Sequence, residues 1–224
     1  MKTIEDVTHF LENDQELMQL LRDAASLGLP DWWICAGYVR GKIWDTLHGY
    51  SNPTPTEDID VIYFDPSQPD EAVEKRHEAT LHALSPNIAW SVKNQARMHL
   101  VNQLSPFESA VDALGNFTET ATAIGVSLDA KGRLIVAAPH GVDDLVGLKL
   151  RPTPAFQEGS SHHQIYCARI SKKIGKPSGR CFNQSTVALD RNRPRLVGFF
   201  VARLERSPQK SDHRSDHFEY IRFY

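Results

Sequence analysis

A chain of 224 residues, 41% of them hydrophobic, with net charge −3 and a pI near 6.4, has the means to bury a core. At about 100–200 residues per domain it suits one domain with an appendage, and its hydrophobic content excludes a wholly disordered chain. No run reaches the roughly 18 apolar residues of a membrane span. The acidic N-terminus lacks an apolar signal core, so a cytoplasmic protein is expected. Cys35, Cys167 and Cys181 show no CxxC spacing, which argues against a zinc knuckle.

In chain order, a helical lead-in occupies about residues 1–30, where Leu17, Leu20, Leu21 and Ala24 share one face of a helix over 14–27. Gly28 and Pro30 stop it. Residues 31–36, DWWICA, read as a buried strand, and 38–48 return to helical spacing through Val39, Ile43, Trp44 and Leu47. A loop with Pro53 and Pro55 leads to a strand at 58–64, DIDVIYF. An acidic helix is predicted over 70–84 with Ala72, Val73, Ala79 and Leu84 inward, then a strand at 88–92 and a helix at 94–103. Residues 125–139 read as strand, turn, strand, and 142–150 as a last short helix before Arg151 to Pro154 end the pattern. Strands alternating with helices predict an α/β (α+β) domain, a small mixed sheet flanked by helices.

Two motifs carry chemistry. Ala36-Gly37-Tyr38-Val39-Arg40 runs from strand through glycine into helix, where backbone approaches a ligand closely and free N–H groups suit phosphate. Arg40, one turn in, would add a charge-assisted contact. The same residues also describe a plain tight turn with Arg40 on a solvated face. Asp58-Ile59-Asp60 heads a strand, and residues i and i+2 project to the same side. Two carboxylates so close repel unless a cation or water lies between them, and Mg²⁺ takes such hard oxygen ligands. An acidic strand end facing water is the alternative.

In this order the two motifs resemble the DNA polymerase β-type nucleotidyltransferase superfamily. More narrowly, the chain resembles a bacterial family of nucleotidyltransferase-like proteins. The matching segments are AGYVRGKIWD (36–45), EDIDVIYFD (57–65), WSVKNQARMH (90–99), ETATAIGVSL (119–128) and APHGVDDLVGLKLRPTP (138–154). The resemblance implies a polymerase β-type core and Mg²⁺-dependent transfer of a nucleotidyl group from an NTP to an unknown acceptor, with release of pyrophosphate. It implies two Mg²⁺ ions on Asp58 and Asp60, which are both the catalytic and the metal residues, with Gly37 and Arg40 binding nucleotide. Two departures stand out: Tyr38 follows Gly37 where the superfamily has a small residue, which would tighten the phosphate cradle. Ser91 stands where a third carboxylate is expected, and a serine is no anionic ligand or comparable base. Asp65, Glu108 and Asp112 are the acids that would substitute. Asn94 to His99 either line the same cleft or form a capped helix start with Arg97 on the surface. A catalytically weak nucleotide-binding or regulatory relative is therefore the rival function.

The resemblance runs over about residues 16–173, and with the helical lead-in the domain is read as 1–173. Residues 1–173 carry 15 Lys and Arg against 23 Asp and Glu, whereas 174–224 carry 10 against 5. Such a split often marks a basic arm for nucleic acid, a third functional reading, although an acidic body argues against it. The irregular basic tail has another origin. The family usually continues Lys-Lys-Asn-Trp-Gln-Ala-x-Trp-Pro, and one set of codons for such an ending, AAG AAA AAT TGG CAA GCC AAG TGG CCG, read with one A lost gives AAG AAA ATT GGC AAG CCA AGT GGC CG. That spells residues 172–180, Lys-Lys-Ile-Gly-Lys-Pro-Ser-Gly-Arg, so 174–224 read as an out-of-frame extension. Resequencing across the Lys172-Lys173 codons decides it.

Overall fold

A computed structural model describes residues 1–173 together with the pair Val187–Ala188. The lead-in is two helices, α1 (Ile4–Glu12) and α2 (Gln15–Ala25). Thr3 caps the first through Asp6 N–H while the Asp6 carboxylate answers the cap backbone, and Asp14 caps the second through Leu17 N–H. β1 (Trp33–Cys35) passes directly into α3 (Ala36–His48). Then follow β2 (Ile59–Tyr63), α4 (Glu71–Leu84), β3 (Trp90–Asn94), α5 (Gln95–Met98) and α6 (Ala110–Gly115). The hairpin β4 (Gly125–Leu128) and β5 (Leu134–Ala137) precedes α7 (Asp143–Val146), β6 (Lys149–Leu150) and α8 (His163–Lys173). β6 pairs with β7, the Val187–Ala188 segment.

The main sheet has the order β3-β2-β1-β4-β5, with β2 and β3 parallel and the other neighbours antiparallel. This is the mixed sheet flanked by helices that the sequence predicts. Alternation along the strands sends side chains to two cores. Ile34, Val61, Val92 and Val126 join Leu17, Leu21, Val39 and Ile43 in the larger core beneath the helices. Cys35 and Ile62 go to the opposite face and pack with Ala110 and Leu114 of α6. No helix among the described residues is long and apolar enough to cross a membrane.

Four expectations are corrected. In α4, Ala72, Ala79 and Leu84 are exposed, and Glu74 and Leu81 are buried instead. The cause is the sheet edge: β3 is an outer strand, and its unpaired backbone N–H groups need acceptors. Glu78 accepts from Val92 N–H at 3.1 Å and Glu74 from Asn94 N–H at 2.9 Å, so the helix turns an acidic stripe inward. The strand expected at 88–92 lies two residues later, and the helix expected at 94–103 is the single turn α5, after which Gln103 takes a left-handed φ of 53°. The helix expected over 142–150 stops at Val146. A Cβ on Gly147 would meet Asp143 O at 2.7 Å, Leu148 takes φ 56°, and the chain resumes as β6. The helix α6 lies where the sequence shows no clear period, started by Ser109 Oγ accepting from Asp112 N–H. The proposed tail at 174–224 lies outside the described residues apart from β7.

Candidate active site

Antiparallel pairing of β1 with β2 sets Cys35 opposite Asp60, so the chain turns into α3 beside the aspartate pair. The turn is made at Ala36, whose φ of 60° is a left-handed conformation costing an L-residue about 1–2 kcal/mol. Ala36 N–H donates to Ile124 O, but Cys35 gives no side-chain cap to α3. The Gly37 and Tyr38 N–H groups, too early in the helix for an intrahelical partner, therefore form an open helix start beside Asp58 and Asp60. A Cβ on Gly37 would meet nothing within 4 Å. Packing does not require glycine there, and the space it leaves is room for a ligand. The tightening expected from Tyr38 does not arise. Its ring is 8% exposed, turned into the larger core with Lys42 Nζ 5.1 Å from its centroid, and leaves only backbone at the turn.

Asp58 and Asp60 are together as the spacing predicts. Asp60 is pushed up to about 7 by burial first and by the Asp58 charge second, with Ser91, Arg169 and Lys93 working weakly the other way. Asp58 is raised too, by burial and then by Glu57. Neither forms an ion pair among the described residues. Two such carboxylates, held close and short of positive charge, suit a hard divalent cation. Ser91 stands beside Asp60 in the parallel register, at the place where a third carboxylate was sought. None of the proposed substitutes is there. Asp65 accepts from the Ser67 N–H and hydroxyl beyond the far end of β2, and the Asp112 carboxylate accepts from the Glu108 backbone N–H at the start of α6. No cluster of three His, Cys, Asp or Glu able to hold a metal occurs among the described residues. The donor set thus fits metal held by two carboxylates and completed by other ligands.

Arg40, in the first turn of α3, is held by other side chains. Its guanidinium lies over the Trp44 ring, 4.8 Å from the centroid, and Nη1 is 3.5 Å from Glu119 Oε2. Glu119, fully buried, also accepts from Arg169 Nε of α8 at 3.0 Å. No sequence signal joins these three residues, because the contacts span three separate elements. Beyond Asp60 a cavity of about 50 Å³ is lined by Ile62, Lys93, Gln95, Asn102 and Phe117 among others. Segment 94–99 divides between its two readings. Gln95 and Met98 line this cavity, whereas Asn94 caps α5 and Arg97 makes a two-pronged pair with Glu74 at 2.7 and 2.6 Å.

The mixed five-stranded sheet with flanking helices matches a nucleotidyltransferase head domain. A solved structure described as revealing a CCA-adding enzyme head domain matches with a TM-score of 0.69 and 32% identity, covering 77% of this chain and 91% of that one. The chain belongs to a nucleotidyltransferase family, whose pattern matches residues 22–176. The CCA-adding enzyme of Thermotoga maritima complexed with tRNA and a CCA-adding enzyme with CTP also match. Each is 13% identical, with TM-scores of 0.46 and 0.43, and the match covers 79% of this chain and 42% and 43% of theirs. No curated protein matches the sequence.

Proposed function

We propose that the protein transfers a nucleotidyl group from an NTP to an acceptor with Mg²⁺. The observation that carries this reading is the pair Asp58 and Asp60, close together and without an ion-pair partner among the described residues, beside the uncapped start of α3. The N–H groups of Gly37 and Tyr38 bind the phosphates, and Asp58 and Asp60 hold the metal. Bound Mg²⁺ supplies charge neutralisation and orientation at the α-phosphate. A bond forms from the acceptor nucleophile to the α-phosphorus, the bond from that phosphorus to the oxygen bridging to the β-phosphate breaks, the acceptor's proton passes to water, and pyrophosphate leaves. CTP and tRNA belong to the related CCA-adding enzymes by name; the acceptor here is a separate question.

Ser91 favours a second reading, nucleotide binding with little turnover, since the register partner of Asp60 is a hydroxyl and not a third carboxylate to take the acceptor's proton. Incubation with Mg²⁺, each labelled NTP and a cell extract separates them, with Asp58→Ala/Asp60→Ala as control. Label transferred by the native protein and lost in the double variant supports the enzyme. Mg²⁺-dependent NTP binding with no transfer supports the second reading, and no NTP binding overturns both.

A further inference from the structure

The start of α3 lies on one side of Asp60, and a cavity lies on the other. Strand order puts β2 between β1 and β3, so Asp60 is paired to Cys35 from one neighbour and to Ser91 from the other. α3 continues directly from β1. The cavity is walled instead by β2, β3, α5, α6 and the segments after those two helices, and among the described residues β1 and α3 contribute nothing to it. Val101, exposed and part of the wall, brings the space to the surface.

The chemistry of the wall narrows what fits. Gln95, Asn102 and Asn116 bring side-chain amides, and Phe107 and Phe117 bring rings. Asn102 Oδ1 is buried and accepts no hydrogen bond among the described residues. A buried carbonyl is seldom left without a donor, and a ligand at this wall would supply one. Gln95, buried, gives Nε2 to Lys93 O only at a long 3.4 Å. Lys93 Nζ itself lies 3.3 Å from Glu78 and 3.6 Å from Glu74. Asp60 repels an anion here and Lys93 repels a cation. Amides that both donate and accept match hydroxyls, which do the same, and the rings offer flat apolar area to C–H groups.

We propose that this cavity is the acceptor subsite, that it takes the hydroxyl-bearing end of a neutral polyol such as a sugar, and that Asn102 selects it. The proposal rests on reading the aspartate pair as a site of nucleotidyl transfer and names the acceptor's class. Attacking and leaving oxygens stand on opposite sides of the α-phosphorus in an in-line displacement. With the phosphates on the α3 side, the acceptor comes from the β3 side, where the cavity is. A polyol oxygen bonds to the α-phosphorus, its proton passes to water, the bond from phosphorus to the bridging oxygen breaks, and pyrophosphate leaves. About 50 Å³ holds a few heavy atoms, and the rest of the ligand passes Val101 to solvent.

The test reads binding, so it needs no transfer. Glycerol, D-ribose and D-glucose are titrated into the native chain and into Asn102→Leu, and the side-chain amide signals of Gln95, Asn102 and Asn116 are followed by NMR. Gluconate and glucosamine carry the glucose skeleton with a negative or a positive charge. At least one neutral polyol should shift these signals and saturate at about 1–50 mM, about threefold or more tighter than either charged analogue. Asn102→Leu should weaken that polyol at least about fivefold and leave Mg²⁺-NTP binding within about twofold. Its melting temperature should hold or rise, because an apolar group replaces a carbonyl without a donor. No shift with any polyol, equal binding of the charged analogues, or native polyol affinity in Asn102→Leu overturns the proposal. So does equal weakening of NTP and polyol, which would assign the cavity to the nucleotide itself. Should Asn102→Leu fail to fold, Asn102→Ala carries the same comparison. Mg²⁺-NTP binding without polyol binding overturns the acceptor subsite and leaves the transferase reading. Polyol binding through Asn102 without NTP binding refutes that reading and leaves the cavity a polyol site.

Discussion

Asp60 and Ser91 are register partners on parallel strands, so the hydroxyl lies alongside a carboxylate that burial already disfavours as an anion. A third acid at this position would add repulsion that only a cation relieves. Ser91→Asp is therefore expected to cost about 1–3 kcal/mol without metal. Millimolar Mg²⁺ should then raise its melting temperature more than it raises that of the native protein. Equal Mg²⁺ shifts in the two proteins would refute the metal site.

The same carboxylate makes stability fall as pH rises. Folded Asp60 titrates near 7, whereas in the unfolded chain an aspartate titrates near 3.9. Between those values the folded state holds the extra proton, so the slope of unfolding free energy against pH is negative. The contribution is whole below about pH 4 and is lost by pH 7, up to about 4 kcal/mol before other groups are counted. Asp60→Asn should flatten this part of the profile and gain on the native protein at pH 8. Parallel urea-unfolding profiles from pH 4 to 8 would contradict the assignment.

Glu74 serves the edge of the sheet and a cation at once. Its Oε1 accepts from Asn94 N–H and Arg97 Nε, and Oε2 accepts from Arg97 Nη2. Glu74→Ala leaves a guanidinium and a strand N–H without their acceptor and should cost about 3–5 kcal/mol. Glu74→Gln, which keeps an acceptor, should lose less. Light scattering should rise in Glu74→Ala, since β3 becomes an open edge. A native urea midpoint in Glu74→Ala would sink this account.

Ala36 makes the strand-to-helix turn in a left-handed conformation. Glycine adopts that conformation without the Cβ penalty, so Ala36→Gly should be neutral or stabilising by up to about 1 kcal/mol. A variant that melts several degrees lower would show that the Ala36 methyl matters more in its core with Cys35 and Leu114 than the strain does.

The aspartate pair was legible because both the spacing and the β-branched run around it are local. The α3 face was legible for the same reason. What escaped was set by partners distant in the chain. The buried stripe of α4 is acidic because β3 leaves N–H groups unpaired, a demand written in another element. Residues 94–103 have helical composition, yet Gln103 turns left-handed and α5 ends after four residues. Arg40 looked like a phosphate ligand because its position one turn past Gly37 is local, whereas Glu119, which holds it, comes from a loop no periodicity marks.

Glu119 also ties the site to the order in which the chain is made. Both aspartates and the α3 turn are present once the first half has been synthesised, but Glu119 gains Arg169 beside Arg40 only when α8 has docked. A product that ends before α8 retains the residues of β1 to β5 and the aspartate pair, and lacks Arg169. The last described helix thus acts as a completion check: the pairing of Glu119 with Arg169 belongs only to chains translated through residue 169.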